Sequence, residues 1–206
     1  MVTIMKVGIF GGTFNPIHKG HIEAAYAFLR CVEPDKLFVI PTKIPPHKVI
    51  TADDDPEIRL EMTARAFSEN KEYEGRIEVS DIEIRSEGKS YTYYTLQKLK
   101  AMGYDNFYLY CGTDMLLTFD KWFRFEDILS MCTLAYASRL ESECPEASEK
   151  IAMLRENYNA RIVEIPLSPI EISSSEIREM ISSGEDASAF LTPAVIDFIS
   201  ERGLYQ

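Results

Sequence analysis

Residues 8–21 read GIFGGTFNPIHKGH, and the order of residue types there sets the architecture of the chain. A short apolar run, Val7 to Phe10, leads into the glycine pair Gly11 and Gly12. After Pro16, the segment IHKGHIEAAYAFLR carries its apolar residues at helical spacing. Strand, tight glycine turn and helix are predicted in that order. His18 and His21, two of the three histidines in the chain, then stand at the start of the helix. The first N–H groups of a helix lack intrahelical partners, and the helix dipole is positive at that end. The segment is therefore a candidate phosphate site, with both histidines facing the anion.

The pattern repeats along the chain. KVGIF, KLFVIP, RIEVSDIEI, NFYLYCG, TLAYAS and RIVEIP are apolar, β-branched or aromatic runs of strand length. IHKGHIEAAYAFLR, EIRLEMTARAF, YTYYTLQKLKAM and FEDILSMC separate most of them with helical patterns. Strands alternating with helices predict an α/β fold: an open, mostly parallel, Rossmann-like sheet with helices on both faces. Residues 172–206 read as helical pieces after the last strand, a small C-terminal extension carrying ISSSEIR. No repeat, low-complexity tract or linker interrupts the 206 residues, so a single domain over 1–206 is expected. Thr42 to Pro56 and Ser138 to Ser148 read as long loops. In open parallel sheets ligands sit beyond the carboxyl ends of the strands. GGTFN, PTKIPPHK, CGTD and PLSPIEISSS all follow predicted strands at that end, so distant segments converge there.

Composition narrows the partners. Hydrophobic residues make up 46% and charged residues 27%, as in soluble globular proteins. No apolar run approaches the ~20 residues of a membrane span, and MVTIMKVGIF lacks the features of a signal peptide. A cytoplasmic protein without membrane partners is expected. Cys31, Cys111, Cys132 and Cys144 form no CxxC pair and read as reduced thiols in or near the core. The formal net charge of −11 repels nucleic-acid backbones and anionic membranes, so no nucleic-acid partner is expected. It equally opposes an anionic small substrate unless cations are gathered locally. Lys19 beside His18 and His21, and Lys43, His47 and Lys48 in KIPPHK, are candidates for that gathering.

Each motif has competing readings. GIFGGTF lacks GxGxxG spacing and the second strand ends VIPT without an acidic residue for a ribose, so a dinucleotide fingerprint fails; GxxxxGK[ST] is absent too. His18 and His21 as a metal pair would need a third ligand, and the remaining histidine lies among lysines. In ISSSEIR, Ser173 and Glu176 fit a capping box. The serines with Arg178 a turn further in also suit an oligophosphate. Trp122 is either a core anchor or a stacking surface for a flat heterocycle. Asp114 in CGTD either caps the next helix or holds ribose hydroxyls.

Taken in order, GGTFNPIHKGH, PPHK, the IRLEM helix, SYTYYTL, CGTD, DKWF and ISSSEIR resemble the bacterial nicotinate-nucleotide adenylyltransferases, from Lys6 to about Tyr205. HxGH with ISSSxIR marks the wider nucleotidyltransferase superfamily, and PPHK, SYTxxTL and the tryptophan segment mark the pyridine-nucleotide branch. Two positions depart from the pattern: Ala137-Ser138-Arg139-Leu140 stands where the family usually has Arg-Pro-Gly, and Cys111 where it has an apolar residue before GxD.

The resemblance implies transfer of the adenylyl group of ATP to nicotinate mononucleotide, giving deamido-NAD and pyrophosphate. It implies that Gly11, Gly12, Thr13 and Phe14 line the substrate phosphates and that His18 and His21 contact those of ATP. Ser174, Ser175 and Arg178 would hold the departing pyrophosphate, making His18, His21 and Arg178 the catalytic set. Gly112 and Asp114 would lie at the adenosine. Asn15, Lys43, His47, Lys48, Thr92 and Trp122 would serve the mononucleotide, the last two at its ring. Mg²⁺ is implied with ATP, without a nameable protein ligand, and a homo-oligomer is compatible with the family. Other phosphorylated acceptors, nicotinamide mononucleotide or phosphopantetheine, and a non-catalytic nucleotide sensor are the alternatives.

Overall fold

The computed structural model describes residues 5–45, 54–139, 144–168, 170 and 172–206. Its centre is a six-stranded sheet of order β3-β2-β1-β4-β5-β6 in which every pairing is parallel. The strands are β1 (Lys6–Gly12), β2 (Lys36–Pro41), β3 (Ile77–Val79), β4 (Asn106–Cys111), β5 (Cys132–Arg139) and β6 (Ile162–Leu167). Helices α1 (Lys19–Val32), α2 (Pro56–Ser68), α3 (Thr92–Ala101), α4 (Thr113–Leu117), α5 (Phe125–Met131) and α6 (Pro145–Tyr158) lie between strands. Helices α7 (Ser174–Ser183) and α8 (Pro193–Arg202) follow the last one. Among the described residues no helix is long and apolar enough to cross a membrane.

Alternation along the strands explains the two covered faces. Val7, Ile9, Phe38 and Ile40 join a buried cluster with Leu96 and Leu99 of α3, Ile128 and Leu129 of α5 and Leu154 of α6. Their neighbours Phe10, Leu37 and Val39 point the other way, against Ala25 and Phe28 of α1, Met62 of α2 and Val195 and Phe198 of α8. Both faces of each central strand are apolar, which is why these strands read as unbroken hydrophobic runs. Helix α8 is thus part of the main core. It is braced by the Arg65 guanidinium, 4.6 Å from the Phe198 ring and 2.9 Å from Glu201.

The structure departs from the sequence expectation in three places. RIEVSDIEI forms a strand only over Ile77–Val79; Asp81 onward turns, with the Arg85 N–H on the Asp81 carbonyl. Pairing of β3 with β2 ends at Val39, and Glu83 and Ile84 turn inward instead of extending an edge strand. The polar stretch expected as loop to Ser148 becomes helix at Pro145, whose fixed φ and missing N–H suit a first helical turn. Ala147, Ile151 and Leu154, spaced i, i+4, i+7, are its buried stripe. Among the thiols, Cys111 and Cys132 are buried as expected, but Cys31 is exposed on α1.

The feature that positions the site is an asymmetry at β1. Its pairing with β2 runs to Gly12↔Pro41, whereas its pairing with β4 stops at Ile9↔Leu109. Beyond Ile9 the two central strands part. Since β1 is also where the chain reverses its direction of sheet growth, this is the switch-point crevice of an open parallel sheet.

Gly8 lets α1 approach β1. A Cβ there would stand 2.8 Å from Leu37 Cδ1 and 3.2 Å from the Phe28 ring. We expect Gly8→Ala to cost about 1–2 kcal/mol from overpacking, read by urea unfolding, with turnover per folded molecule unchanged.

Candidate active site

The crevice opens into two lobes. One, of about 650 Å³, runs along the parted strands and between the α3 and α5 approaches. The other, of about 1100 Å³, lies over the starts of α2 and α7 and the C-terminal residues. They share Thr13, His18, His21, Pro45, Asp114 and Ile172, so the paired histidines stand at the junction.

The glycines and histidines are fixed by local packing. A Cβ on Gly11 would meet nothing within 4 Å, which leaves this backbone open to the lobe. A Cβ on Gly12 would come within 2.4 Å of the Phe14 ring. Phe14 itself was expected to line phosphates, but its ring is 1% exposed in the core, stacked 5.9 Å from Phe10 and edge-on to His21 at 5.1 Å. A large apolar ring gains more from the core than from a polar lobe. Its backbone, at φ 52, shapes the turn, so any part it has at phosphates belongs to its peptide and not to its ring.

His18 is the N-cap of α1 and His21 stands a turn in, their rings 3.7 Å apart. The His18 N–H donates to His21 Nδ1 at 3.3 Å. An accepting Nδ1 puts the proton of the neutral ring on Nε2, so His21 can act as a donor. Gly20 makes the pair possible, because a Cβ there would lie 3.0 Å from His18 Nδ1. His18 is buried, its Nδ1 has no hydrogen-bond partner among the described residues, and burial pushes its pKa from 6.5 to about 4. The first turn of α1 holds no acidic residue to cancel its dipole.

The capping box of ISSSEIR forms, and it leaves the remaining serines and Arg178 at a lobe. Ser173 and Glu176 form the capping box: Glu176 N–H to Ser173 Oγ at 3.2 Å, Ser173 N–H to Glu176 Oε2 at 2.8 Å. Ser174, Ser175 and Arg178 line the larger lobe. Ser174 Oγ donates to the Pro16 carbonyl at 2.9 Å, and Arg178 donates to the Asn15 carbonyl at 2.6 Å and to Ser175 Oγ at 3.1 Å. The serine–arginine helix is therefore tied to the histidine loop across 163 positions of sequence. Asn15, expected on the mononucleotide side, lines the Arg178 lobe, and the Tyr205 hydroxyl bonds its Oδ1.

In the smaller lobe, Thr92 at the start of α3 and half-buried Trp122 share the wall with Tyr91 and Phe123. Trp122 packs on Phe119 with 4.9 Å between ring centroids, so it serves both readings, core neighbour and lobe wall. Gly112 is the N-cap of α4, and Asp114 follows in its first turn at the lobe junction.

Two expected cations are elsewhere. The Lys43 ammonium bonds the Ser86 carbonyl at 2.8 Å and lines neither lobe. The Lys19 ammonium bonds the carbonyls of Ser188 and Ala189, pinning α1 to the segment before α8. Each lysine finds backbone acceptors within reach of its own stem. His47 and Lys48 lie outside the described residues. Glu83, Tyr91, Phe123 and Tyr205 were not foreseen. Glu83, buried beside Thr95 at 2.7 Å, was marked only by an acid inside an apolar run, and burial raises its pKa.

These walls suit a flat ring in one lobe and an oligophosphate in the other, with donors where the two meet. Two consequences are testable. Because the folded pKa of His18 is depressed, its share of stability is present above pH 6.5 and lost as pH falls toward 4. The loss is on the order of 3 kcal/mol. Urea titrations from pH 7 to 4 should show it in the wild-type chain and not in His18→Gln. Gly20→Ala should lower turnover roughly tenfold or more by displacing the His18 ring, with thermal stability little changed.

Comparisons with known proteins give the family. Residues 9–180 match the family described as Cytidylyltransferase-like. A probable nicotinate-nucleotide adenylyltransferase of Clostridium tetani is 33% identical, covering 98% of this chain and 99% of the relative. One from Caldicellulosiruptor saccharolyticus is 35% identical over 98% and 100%. Among solved structures, Plasmodium falciparum nicotinic acid mononucleotide adenylyltransferase complexed with NaAD is similar in fold. Its TM-score is 0.76 at 21% identity, over 98% of this chain and 97% of that one. With identity of this level sustained from end to end of relatives that share one name, this chain belongs to the nicotinate-nucleotide adenylyltransferase family, within the wider cytidylyltransferase-like group.

Proposed function

We propose that the chain joins ATP to nicotinate mononucleotide, releasing pyrophosphate and forming deamido-NAD. The observation that carries this is the meeting of an aromatic lobe and a serine–arginine lobe at His18 and His21. The family relationship supports the same reading, since the relatives carry that activity in their names.

The acceptor phosphate is already ionised, so no general base is required. An oxygen of the mononucleotide phosphate attacks the α-phosphorus of ATP, the bond to the β-bridging oxygen breaks, and pyrophosphate leaves with those electrons. The work left to the protein is positioning two anions and donating to the oxygens where charge grows. In this reading the backbone of Gly11, Gly12 and Thr13 borders the phosphates. His21 donates from Nε2. His18, kept neutral by burial in the free protein, gains an acceptor when the oligophosphate arrives. Ser174, Ser175 and Arg178 take the leaving pyrophosphate, with Asn15 beside them. Gly112 and Asp114 border the adenosine, and Thr92 and Trp122 the nicotinate ring. A carboxylate on that ring accepts from the N–H groups at the start of α3, where an amide NH₂ cannot.

Among the described residues no cluster of three or more His, Cys, Asp or Glu is arranged to hold a metal. Magnesium would therefore enter with ATP, held by phosphate oxygens and water, screening their charge. The whole chain acts as one cytoplasmic unit, its C-terminal helices supplying the pyrophosphate side.

Pyrophosphate release with ATP and each candidate acceptor tests the proposal. Turnover is expected with nicotinate mononucleotide and far less with nicotinamide mononucleotide or phosphopantetheine. Preference for another acceptor reassigns the substrate, and no release with any acceptor removes the enzyme reading. His18→Ala and His21→Ala should each lower kcat roughly a hundredfold, the range for losing one preorganised donor.

Trp122 is the only tryptophan, so its emission reports on one wall. Saturable quenching by nicotinate mononucleotide is expected. Tight binding by calorimetry with unchanged emission would take Trp122 out of the ring site.

A further inference from the structure

Arg59, the second residue of the IRLEM stretch on α2, has no part in the function described above. It is nevertheless 1% exposed, and its guanidinium bonds three separate segments. Nη1 donates to the Thr13 carbonyl at 2.8 Å, Nη2 to the Lys43 carbonyl at 3.4 Å, and Nε to the Asp54 carboxylate. Burying a guanidinium is costly unless its donors and charge are matched. Packing α2 on the sheet does not call for an arginine; Met62 and Ala66 of the same helix do that with apolar side chains. What distinguishes Arg59 is where its partners stand. Thr13 lines both lobes, and Asp54 lines the lobe that also holds Ser175 and Arg178.

Two physical effects follow. The Thr13 carbonyl and the Phe14 N–H are opposite edges of one trans peptide, so a donor that holds the carbonyl also fixes where the N–H points. That N–H has no backbone partner among the described residues. Phe14 at φ 52 is in the left-handed region, where a bulky residue stays only if its surroundings hold it. Without Arg59 this peptide can rotate and present its oxygen to phosphate oxygens. The second effect is charge. Asp54 and Asp55 both line the phosphate lobe. The Asp55 carboxylate caps α2 by accepting the Glu57 N–H. The Asp54 carboxylate, 9% exposed, is neutralised by Arg59; left alone, it would repel an incoming oligophosphate in a region of low effective dielectric.

We propose that Arg59 is a positioning residue of the phosphate lobe: it aims the Thr13–Phe14 peptide and cancels the charge of Asp54 without touching substrate. This rests on the reading of that lobe as the ATP site.

ATP affinity measured by calorimetry at two ionic strengths, with thermal unfolding alongside, tests it on the full chain. Arg59→Met leaves Asp54 uncompensated and should weaken ATP roughly tenfold to a hundredfold, more at low salt than at high. Adding Asp54→Asn to Arg59→Met should recover about threefold or more of that loss, because the repelling charge is gone. Arg59→Lys keeps a cation but cannot bond three segments at once, and should fall between wild type and Arg59→Met. An arginine that only braces the fold gives a different pattern: losses follow the melting temperature and Asp54→Asn brings no recovery. That result overturns the proposal, as does wild-type affinity in Arg59→Met. If Arg59→Met does not fold, Arg59→Lys and the double variant, which carries no buried charge at this point, decide: both binding ATP as wild type does overturns it. Failure of the wild-type chain to bind ATP would instead remove the functional reading.

Discussion

The site depends on one departure from regular sheet geometry, the parting of β1 and β4 beyond Ile9 while β1 stays paired with β2 to Gly12. A parallel sheet satisfies its backbone by pairing, so a strand that loses one neighbour must offer those groups elsewhere. The residues at the parting are Gly11 and Gly12. Side chains there would either fill the opening or, at Gly12, collide with the Phe14 ring. Phe14 in turn locks the turn by filling the core beneath it, edge-on to His21. Strand end, glycines, aromatic plug and histidine pair are one mechanical unit, and α1 leaves the sheet at an angle that unit fixes.

Around this opening the described residues meet an electrostatic problem with few formal charges. A chain of net charge −11 must bind anions, yet among the described residues Arg178 is the only lysine or arginine lining either lobe. Among the described residues, helix starts add further donors. Gly20 and His21 in the first turn of α1, Thr92 at the start of α3 and Ser174 and Ser175 at the start of α7 all border the cleft. N–H groups and dipole ends at these positions favour anions without adding formal charge. Donors of this kind are already oriented, so little reorganisation is needed when charge moves from one phosphate to the next. Two of the three lysines that the sequence suggested for the same task make bracing contacts, Lys19 to the segment before α8 and Lys43 to the Ser86 carbonyl.

Much of this could be read from residue order alone, and the failures have physical causes. Apolar strands buried on both faces leave continuous runs in sequence, and five of the six predicted runs became strands of six residues or more. The glycine turn, the histidine spacing and the serine–arginine helix start were visible because each is local: a few adjacent residues carry the whole signal. The present positions of the Lys19 and Lys43 ammonium groups were not legible because their partners are distant in sequence, the carbonyls of Ser188, Ala189 and Ser86, and the burial of the Phe14 ring follows from the fold around it, not from the glycine turn that precedes it. Tyr205 bonding Asn15 and Glu83 bonding Thr95 are further pairings that no spacing rule announces. Helix α6 was hidden by its polar first turn, though its buried stripe was present in the spacing of Ala147, Ile151 and Leu154.

The buried polar atoms show what the site costs the fold. His18 Nδ1, Thr42 Oγ1 and Glu83 Oε2 have no hydrogen-bond partner among the described residues, and all three residues line the smaller lobe. A buried polar atom without a partner is destabilising by about 1–3 kcal/mol, so a chain selected for stability alone would place apolar groups there. These three atoms stand on residues that border one lobe, so part of the penalty is carried by the cleft. A polar ligand that bonds such atoms recovers free energy the free protein lacks, and that recovery adds to the stability of the bound state. The same wall that weakens the free protein therefore sharpens its preference for a ligand with polar groups in the right places. Arg59 marks the opposite choice: a buried charge each of whose three nitrogens has an acceptor, holding the phosphate turn in a conformation that Phe14 alone would not keep.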